Sequence, residues 1–129
     1  MAGGWVRSYY RKPFGPGWAQ VGDAGSSYEF TTAHGITNAF REAQFLTEAV
    51  DDGLAGRRPL PEALADYEHR RNAAQVPYSD FTIAATTYQP VPDPTGAGAL
   101  YAAIAQHPAA TAGFWGLFAQ TMLPSEFFA

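Results

Sequence analysis

Two short groups of residues have the types and spacing to hold a ligand: Gly22 with Asp23, and Gly35 with Ile36 and Thr37. Residues 18 to 21 form a short apolar run with β character, so Asp23 is expected at the carboxyl end of a strand. Gly22 allows the backbone to turn sharply there. A carboxylate in this place accepts hydrogen bonds from ligand hydroxyls and repels bare phosphate. Asp23 is therefore predicted to bind a hydroxyl such as that of a sugar.

The second group lies at the predicted start of a helix. The amides of Gly35, Ile36 and Thr37 have no acceptor within the first turn. The helix amino terminus carries a partial positive charge of about half an elementary charge, which favours an anionic or strongly accepting ligand atom. Residues 18 to 43 as a whole therefore predict a cofactor cradle. The alternative for the same stretch is a strand, a glycine-containing loop and a capped helix with no ligand.

The helix that must position the second group has a regular apolar period. The residues expected to form its inward face are Ile36, Ala39, Phe40, Ala43, Leu46 or Thr47, and Val50. The residues expected on its solvent side are Arg41, Glu42, Glu48, Asp51 and Asp52.

These motifs resemble the second flavin motif of the FAD-dependent monooxygenases and reductases, a family that includes aromatic hydroxylases, halogenases and geranylgeranyl reductases. The matching residues are Gly22, Asp23, Ala24, Gly25, Gly35, Ile36, Thr37, Ala39, Glu42 and Ala43. The resemblance implies that Asp23, next to Gly22, binds the ribityl and pyrophosphate part of FAD. It also implies that the backbone of residues 35 to 37 faces the pyrimidine edge of the isoalloxazine.

The resemblance further implies an activity. In the intact family, FAD reduced by NAD(P)H reacts with oxygen and oxygenates an aromatic or other apolar small molecule. Phe30, Phe40 and the later aromatic residues are then expected on the substrate side. Many members have a proline where this chain has Phe30, so the substrate itself is not predicted by analogy. No catalytic residue is assigned.

The family's dinucleotide-binding unit is missing from the sequence. No Gly-x-Gly-x-x-Gly turn stands between a strand and a helix. We therefore expect a mostly α fold with a short β-hairpin or strand pair at the amino terminus, resembling the carboxyl-terminal part of an α/β FAD-binding fold. Residues 1 to 129 are interpreted as a single partial FAD-binding domain. Its predicted parts are strands and the Gly-Asp motif (1–23), the flavin loop and helix (24–52), a kinked helix (60–86) and carboxyl-terminal helices (97–129).

Local patterns give the element boundaries. Residues 5 to 12 are predicted to pair with residues 18 to 21 across the turn at 13 to 17. A helix is predicted to start at Pro61 and to kink at Pro77, with two separate helices as the alternative. Its Glu68, Arg70 and Arg71 are expected in solvent. Residues 87 to 96 are predicted to form a loop, followed by helices that meet at His107 and Pro108.

Composition excludes several classes of function. The net charge is -4 and the pI is about 5.2, which argues against a nucleic-acid or anionic-membrane surface. The chain has no cysteine, no signal peptide and no apolar stretch long enough to span a bilayer, so a cytoplasmic location is expected. The three histidines lack metal-site spacing, so no metal is predicted. His34 is expected to be a loop residue with its imidazole in water.

A non-catalytic function is the alternative. The chain would then be a truncated helical module that binds a partner protein or an apolar ligand. Apolar residues make up 47% of the sequence and charged residues 16%, so exposed apolar surface is expected. Such surface favours self-association or binding of a missing amino-terminal domain.

Overall fold

Five helices dominate the computed structural model, which describes residues 8–86 and 94–129. The helices are α1 (Gly35–Leu54), α2 (Leu60–Thr86), α3 (Pro94–Gln106), α4 (Pro108–Ala119) and α5 (Pro124–Phe127). The predicted mostly helical fold is confirmed. The packing of α1 on α2 forms the largest interface between elements of the described chain.

The amino-terminal strands pair differently from the prediction. Strand β1 (Tyr9–Tyr10) pairs antiparallel with β4 (Ser26–Ser27), and β2 (Phe14–Gly15) pairs antiparallel with β3 (Trp18–Ala19). The expected pairing of residues 5 to 12 with 18 to 21 is therefore wrong for the described residues. Gly17, at φ 79°, closes a tight hairpin between β2 and β3, so the residues of β3 are already paired. Strand β1 pairs beyond the hairpin instead.

The amino-terminal half of the inward face of α1 is polar, which corrects the predicted apolar stripe there. Asn38 and Glu42 are 4% and 0% exposed, whereas Ile36 and Phe40 are each 75% exposed. Glu42 was expected in solvent. It is turned inward because it receives hydrogen bonds from groups far away in sequence, which compensate the cost of burial. Only the second half of the stripe, with Leu46 half-buried, follows the prediction.

A small apolar cluster joins the middle of α1 to the start of α2. Ala49, Ala63 and Tyr67 are buried, and Val21, Phe45 and Leu46 pack against them. The Tyr67 hydroxyl donates to the Gln20 carbonyl oxygen at 2.6 Å. This cluster fixes the segment that leads into the Gly22 turn.

Helix α2 runs without interruption through Pro77, so the alternative of two separate helices is wrong. Arg71 on this helix is 1% exposed rather than in solvent. Its Nη2 donates to the Arg11 carbonyl oxygen at 3.0 Å, and its guanidinium lies 4.9 Å from the centre of the Tyr10 ring. A guanidinium over an aromatic face is attracted by the ring, which favours this buried placement.

The carboxyl-terminal helices meet at His107 and Pro108, as predicted. Helix α3 begins at Pro94, so residues 94–96 are helical, and the rest of the predicted loop, 87–93, lies outside the described residues. Gly113 and Gly116 are buried in α4, where the chain from Met122 to Phe127 folds back closely against them. A Cβ at Gly113 would lie 2.9 Å from the Phe127 ring.

Candidate functional site

The Gly22 turn is a single turn of 3-10 helix, Gly22–Ala24, rather than the bare end of a strand. Gly22 has φ 58°, which a side chain disfavours. Its amide donates to Glu42 Oε2 at 2.5 Å, and the Asp23 carbonyl oxygen accepts the Tyr9 hydroxyl at 2.5 Å. Both bonds hold the backbone, and Asp23 itself is exposed. Its carboxylate makes no hydrogen bond or ion pair within the described part of the chain.

Gly35, Ile36 and Thr37 form the first turn of α1, as predicted, and all three are exposed. The first intrahelical bond there runs from the Asn38 amide to the His34 carbonyl oxygen at 2.9 Å. The preceding amides therefore have no helical acceptor. A Cβ added at Gly35 would meet nothing within 4 Å, so the space beside this turn is open.

The two predicted groups lie on neighbouring elements. The 3-10 turn packs against α1, and a Cβ at Gly22 would lie 3.3 Å from the Ala39 Cβ. Ala39 is three residues after Ile36, on the same side of the helix one turn later. The Gly-Asp turn and the open helix terminus thus sit on the amino-terminal half of α1.

Glu42 connects the Gly22 turn to α1, although it was expected to lie in solvent. Its carboxylate accepts the Gly22 amide, the Ser26 hydroxyl at 3.0 Å and Gln75 Nε2 at 2.6 Å. The side-chain amide oxygen of Gln75, Oε1, in turn accepts hydrogen bonds from the hydroxyls of Tyr10 and Tyr28 at 2.9 and 3.2 Å. The signal in the sequence was an acidic residue one helical turn from Asn38, which places both on one face.

Burial changes the acidity of the tyrosines around this network. It raises the pKa of Tyr10 to about 12 and raises the pKa of Tyr28, in both cases because removal from water disfavours the phenolate. Both hydroxyls therefore keep their protons in the physiological range and remain donors to Gln75. They support the site rather than supply protons to it.

His34 is buried, which corrects the prediction of an imidazole in water. It is 4% exposed, its Nε2 lies 3.2 Å from the Leu117 carbonyl oxygen, and its ring meets the Tyr78 ring edge to face. Burial lowers the pKa of His34, and the nearby positive charge of Arg41 acts in the same direction. A neutral imidazole that donates to Leu117 thus links the start of α1 to α4.

The loop between the two groups is shaped by its own turn. Glu29 accepts the Thr31 amide at 2.8 Å, and Ala33 adopts a left-handed conformation with φ 56°. Phe30, at the position where the resembled family has a proline, is 76% exposed. Thr32 is buried, and its hydroxyl lies 2.8 Å from that of Thr82 on α2.

A cavity of about 390 Å³ lies beside this loop, and only the aromatic content of the last helices pointed to it in the sequence. Helices α2 to α5 form most of its wall. The lining residues are Thr31, Thr32, Phe81, Leu100, Tyr101, Ile104, Phe114, Leu117, Phe118, Phe127 and Phe128. None of them is charged.

Residues 8–86 and 94–129 contain no group of three histidine or acidic side chains that could hold a metal ion. Within the same ranges, no helix is long and apolar enough to cross a bilayer. A scan against models of protein families and searches of curated proteins and of solved structures matched nothing.

Proposed function

We propose that this chain is the flavin-binding carboxyl-terminal part of an FAD-dependent monooxygenase or oxidoreductase that acts on an aromatic or apolar small molecule. The observation that carries the proposal is the position of the Gly22–Ala24 turn on the amino-terminal half of α1, fixed by the bond from the Gly22 amide to Glu42. The turn that carries the exposed Asp23 therefore packs on the same half of α1 as the first-turn amides.

The residues present fit such a cofactor. Asp23 offers an exposed carboxylate to ribityl hydroxyls, which are hydrogen-bond donors. Gly35, Ile36 and Thr37 are exposed residues, and their amides precede the first intrahelical bond, so they are available to donate to the carbonyl and nitrogen acceptors of an isoalloxazine. FAD supplies the redox chemistry when bound, and NAD(P)H is the electron donor that the resemblance implies.

The chain's own residues bind and orient in this proposal. Glu42 holds the turn that carries Asp23. His34, the residue before Gly35, is hydrogen-bonded through its imidazole to Leu117 on α4. Neither side chain reaches the exposed face where the cofactor would lie. Both are therefore positioning residues, and the Asp23 carboxylate and the first-turn amides make the proposed contacts.

Flavin titration of the purified chain tests the proposal. The described elements include no Gly-x-Gly-x-x-Gly turn for the adenosine and pyrophosphate, so the purified chain is expected to be colourless and to bind flavins weakly. Riboflavin and FAD are expected to bind with similar affinity, and ADP-ribose is expected not to compete. Asp23→Ala removes a charge-assisted hydrogen bond and should weaken binding by about ten-fold or more.

Asp80→Ala is the matched control, because Asp80 is also an exposed aspartate but lies on α2. It should leave flavin binding unchanged. Absence of saturable riboflavin binding, or equal binding by the Asp23→Ala variant, would contradict the proposal. A yellow chain that retains FAD through gel filtration would contradict the expectation of an incomplete site while supporting the cofactor.

A second candidate is a non-catalytic module that binds a partner protein. The exposed apolar side chains Phe30, Ile36 and Phe40, all at least 75% exposed, favour it. Single apolar residues on a surface are ordinary, but these three lie in the 3-10 turn before α1 and in the first two turns of α1. The riboflavin titration separates the two candidates, since a partner-binding module needs no affinity for flavin.

A further inference from the structure

The cavity between α2, α3, α4 and α5 has the features of a binding site for a small molecule. Its lining is almost wholly apolar: aromatic or aliphatic side chains line it, apart from the hydroxyls of Thr31, Thr32 and Tyr101. Ligand pockets commonly measure about 300 to 1,000 Å³ and are lined in this way. The cavity, at about 390 Å³, falls in that range.

The size of the cavity limits the ligand. A cavity of about 150 Å³ lined by apolar side chains holds one benzene molecule. The cavity here is 390 Å³, between two and three times that volume. Its size therefore matches a molecule of two or three aromatic rings.

The arrangement of the rings in the wall favours a flat aromatic ligand. Tyr101 and Phe114 meet edge to face at 6.0 Å between centroids, and Phe81 and Phe118 do so at 6.4 Å. Phe114 and Phe118 connect these pairs at 5.2 Å. Such a chain of rings presents both edges and faces, and aromatic ligands make favourable contacts with each.

The charge of the lining limits the ligand further. Among the residues that the structure describes, no lysine, arginine, histidine or acidic side chain lines the cavity. An ionised ligand would leave water without compensation, at a large cost in free energy. The ligand must therefore be uncharged.

The cavity is reachable from solvent. Leu100 and Tyr101 on one side are 60% and 59% exposed, and Phe128 on the other is 69% exposed. Leu117 at its base is 1% exposed. The lining thus runs from the surface to a buried floor.

We propose that this cavity binds an uncharged aromatic molecule of two or three rings, and that the chain does so without any cofactor. None of Gly22, Asp23, Gly35, Ile36 and Thr37 lines the cavity. The inference therefore stands apart from the proposed flavin site, and either can fail without the other.

Two fluorescent probes that have the same three rings but differ in charge test the proposal. N-phenyl-1-naphthylamine is uncharged and has three rings, and its fluorescence rises in apolar surroundings. 8-Anilinonaphthalene-1-sulfonate has the same rings with an added sulfonate. The uncharged probe is expected to bind one per chain, and at least about ten-fold more tightly than the anionic one.

Ile104→Trp is the variant that fills the cavity. It should reduce the affinity for the uncharged probe by about ten-fold or more, whereas Leu54→Trp should change it by less than about two-fold. Leu54 is 77% exposed at the end of α1 and does not line the cavity. Circular dichroism of both variants checks that the helices are retained.

Four results would overturn the proposal. The first is equal affinity for the two probes, and the second is binding of several probes per chain that Ile104→Trp leaves unchanged. The third is a dimer in sedimentation velocity that Ile104→Trp dissociates, since a second copy would then occupy the cavity. Competition by riboflavin at the same site would also contradict a separate cavity.

Discussion

The Glu42 carboxylate accepts the Gly22 amide at 2.5 Å, so a residue in the middle of α1 holds the turn that carries Asp23. Glu42 is 0% exposed, and its other oxygen accepts two further hydrogen bonds, from Ser26 and Gln75. Three donors around one buried carboxylate are enough to explain why an acidic side chain faces inward.

Removing that carboxylate is predicted to destabilise the fold and loosen the turn. Glu42→Ala leaves the Gly22 amide and Gln75 without their acceptor, and we expect a loss of about 2 to 4 kcal/mol in the free energy of unfolding. Urea denaturation measures this. Glu62→Ala, at an exposed glutamate in the first turn of α2, should cost less than about 1 kcal/mol. Equal losses for the two variants would show that the buried contacts contribute little.

Stability is predicted to fall in mild acid because of His34. Burial lowers the pKa of His34 in the folded chain. The unfolded chain, in which a histidine has a pKa of about 6.5, therefore takes up the proton more readily than the folded chain. The stabilising contribution is therefore full above that value and is lost as the pH falls through the lowered pKa of the folded state. Thermal unfolding between about pH 5 and 8 measures the slope.

His34→Gln should flatten this pH dependence, since a glutamine does not titrate. His69→Gln is the control, because His69 is exposed. If the pH dependence of stability is unchanged in His34→Gln and reduced in His69→Gln, it does not come from His34 and the prediction is wrong.

In alkali, the buried tyrosines are predicted to resist ionisation until the chain unfolds. Burial raises the pKa of Tyr10 and of Tyr67 to about 12 and also raises that of Tyr28. Their stabilising contribution is present below about pH 10, the value in the unfolded chain, and is lost as the pH rises above it. Phenolate absorbance should thus increase in two stages, with the later one coinciding with loss of helix by circular dichroism. A single stage near pH 10 with the helices intact would contradict the prediction.

Polar substitutions at the exposed apolar side chains of α1 are predicted to reduce self-association without loss of stability. Ile36→Ser with Phe40→Ser removes two side chains that are each 75% exposed, so little packing is lost. Sedimentation velocity should show a smaller associated fraction than in the parent chain. Leu54→Ser, at a residue 77% exposed at the other end of the helix, should have a smaller effect. A marked drop in thermal stability in the double variant would show that the two side chains pack within the chain.

The helices could be predicted because their boundaries depend on local chemistry. Pro108 marks the start of α4, and Gly35 stands at the start of α1. The orientation of α1 could not be predicted from its period, because the partners that bring Glu42 inward, Ser26 and Gln75, lie 16 and 33 residues away. Without knowledge of such partners, an acidic side chain is predicted to face solvent.

The sequence predicted the start of α1 at Gly35, but not the 3-10 turn at Gly22 or the buried residues that hold that turn. Gly22, Asp23 and Gly35 were identified by type and spacing, and the structure places them on the adjoining elements described above. The burial of His34 was not predictable, because it depends on the carbonyl oxygen of Leu117, 83 residues away. The pairing of β1 with β4 was likewise not predictable, because β3 pairs with β2 in a hairpin and is not available to β1.

The polar inner face of α1 also limits how the two long helices can move. A hydrogen bond is lost when its donor and acceptor move apart by about 1 Å or when its angle falls below about 120°. The Gln75 amide reaches Glu42 at 2.6 Å, and a slip of one helical residue is a displacement of about 1.5 Å. The α1–α2 pair is therefore locked in register.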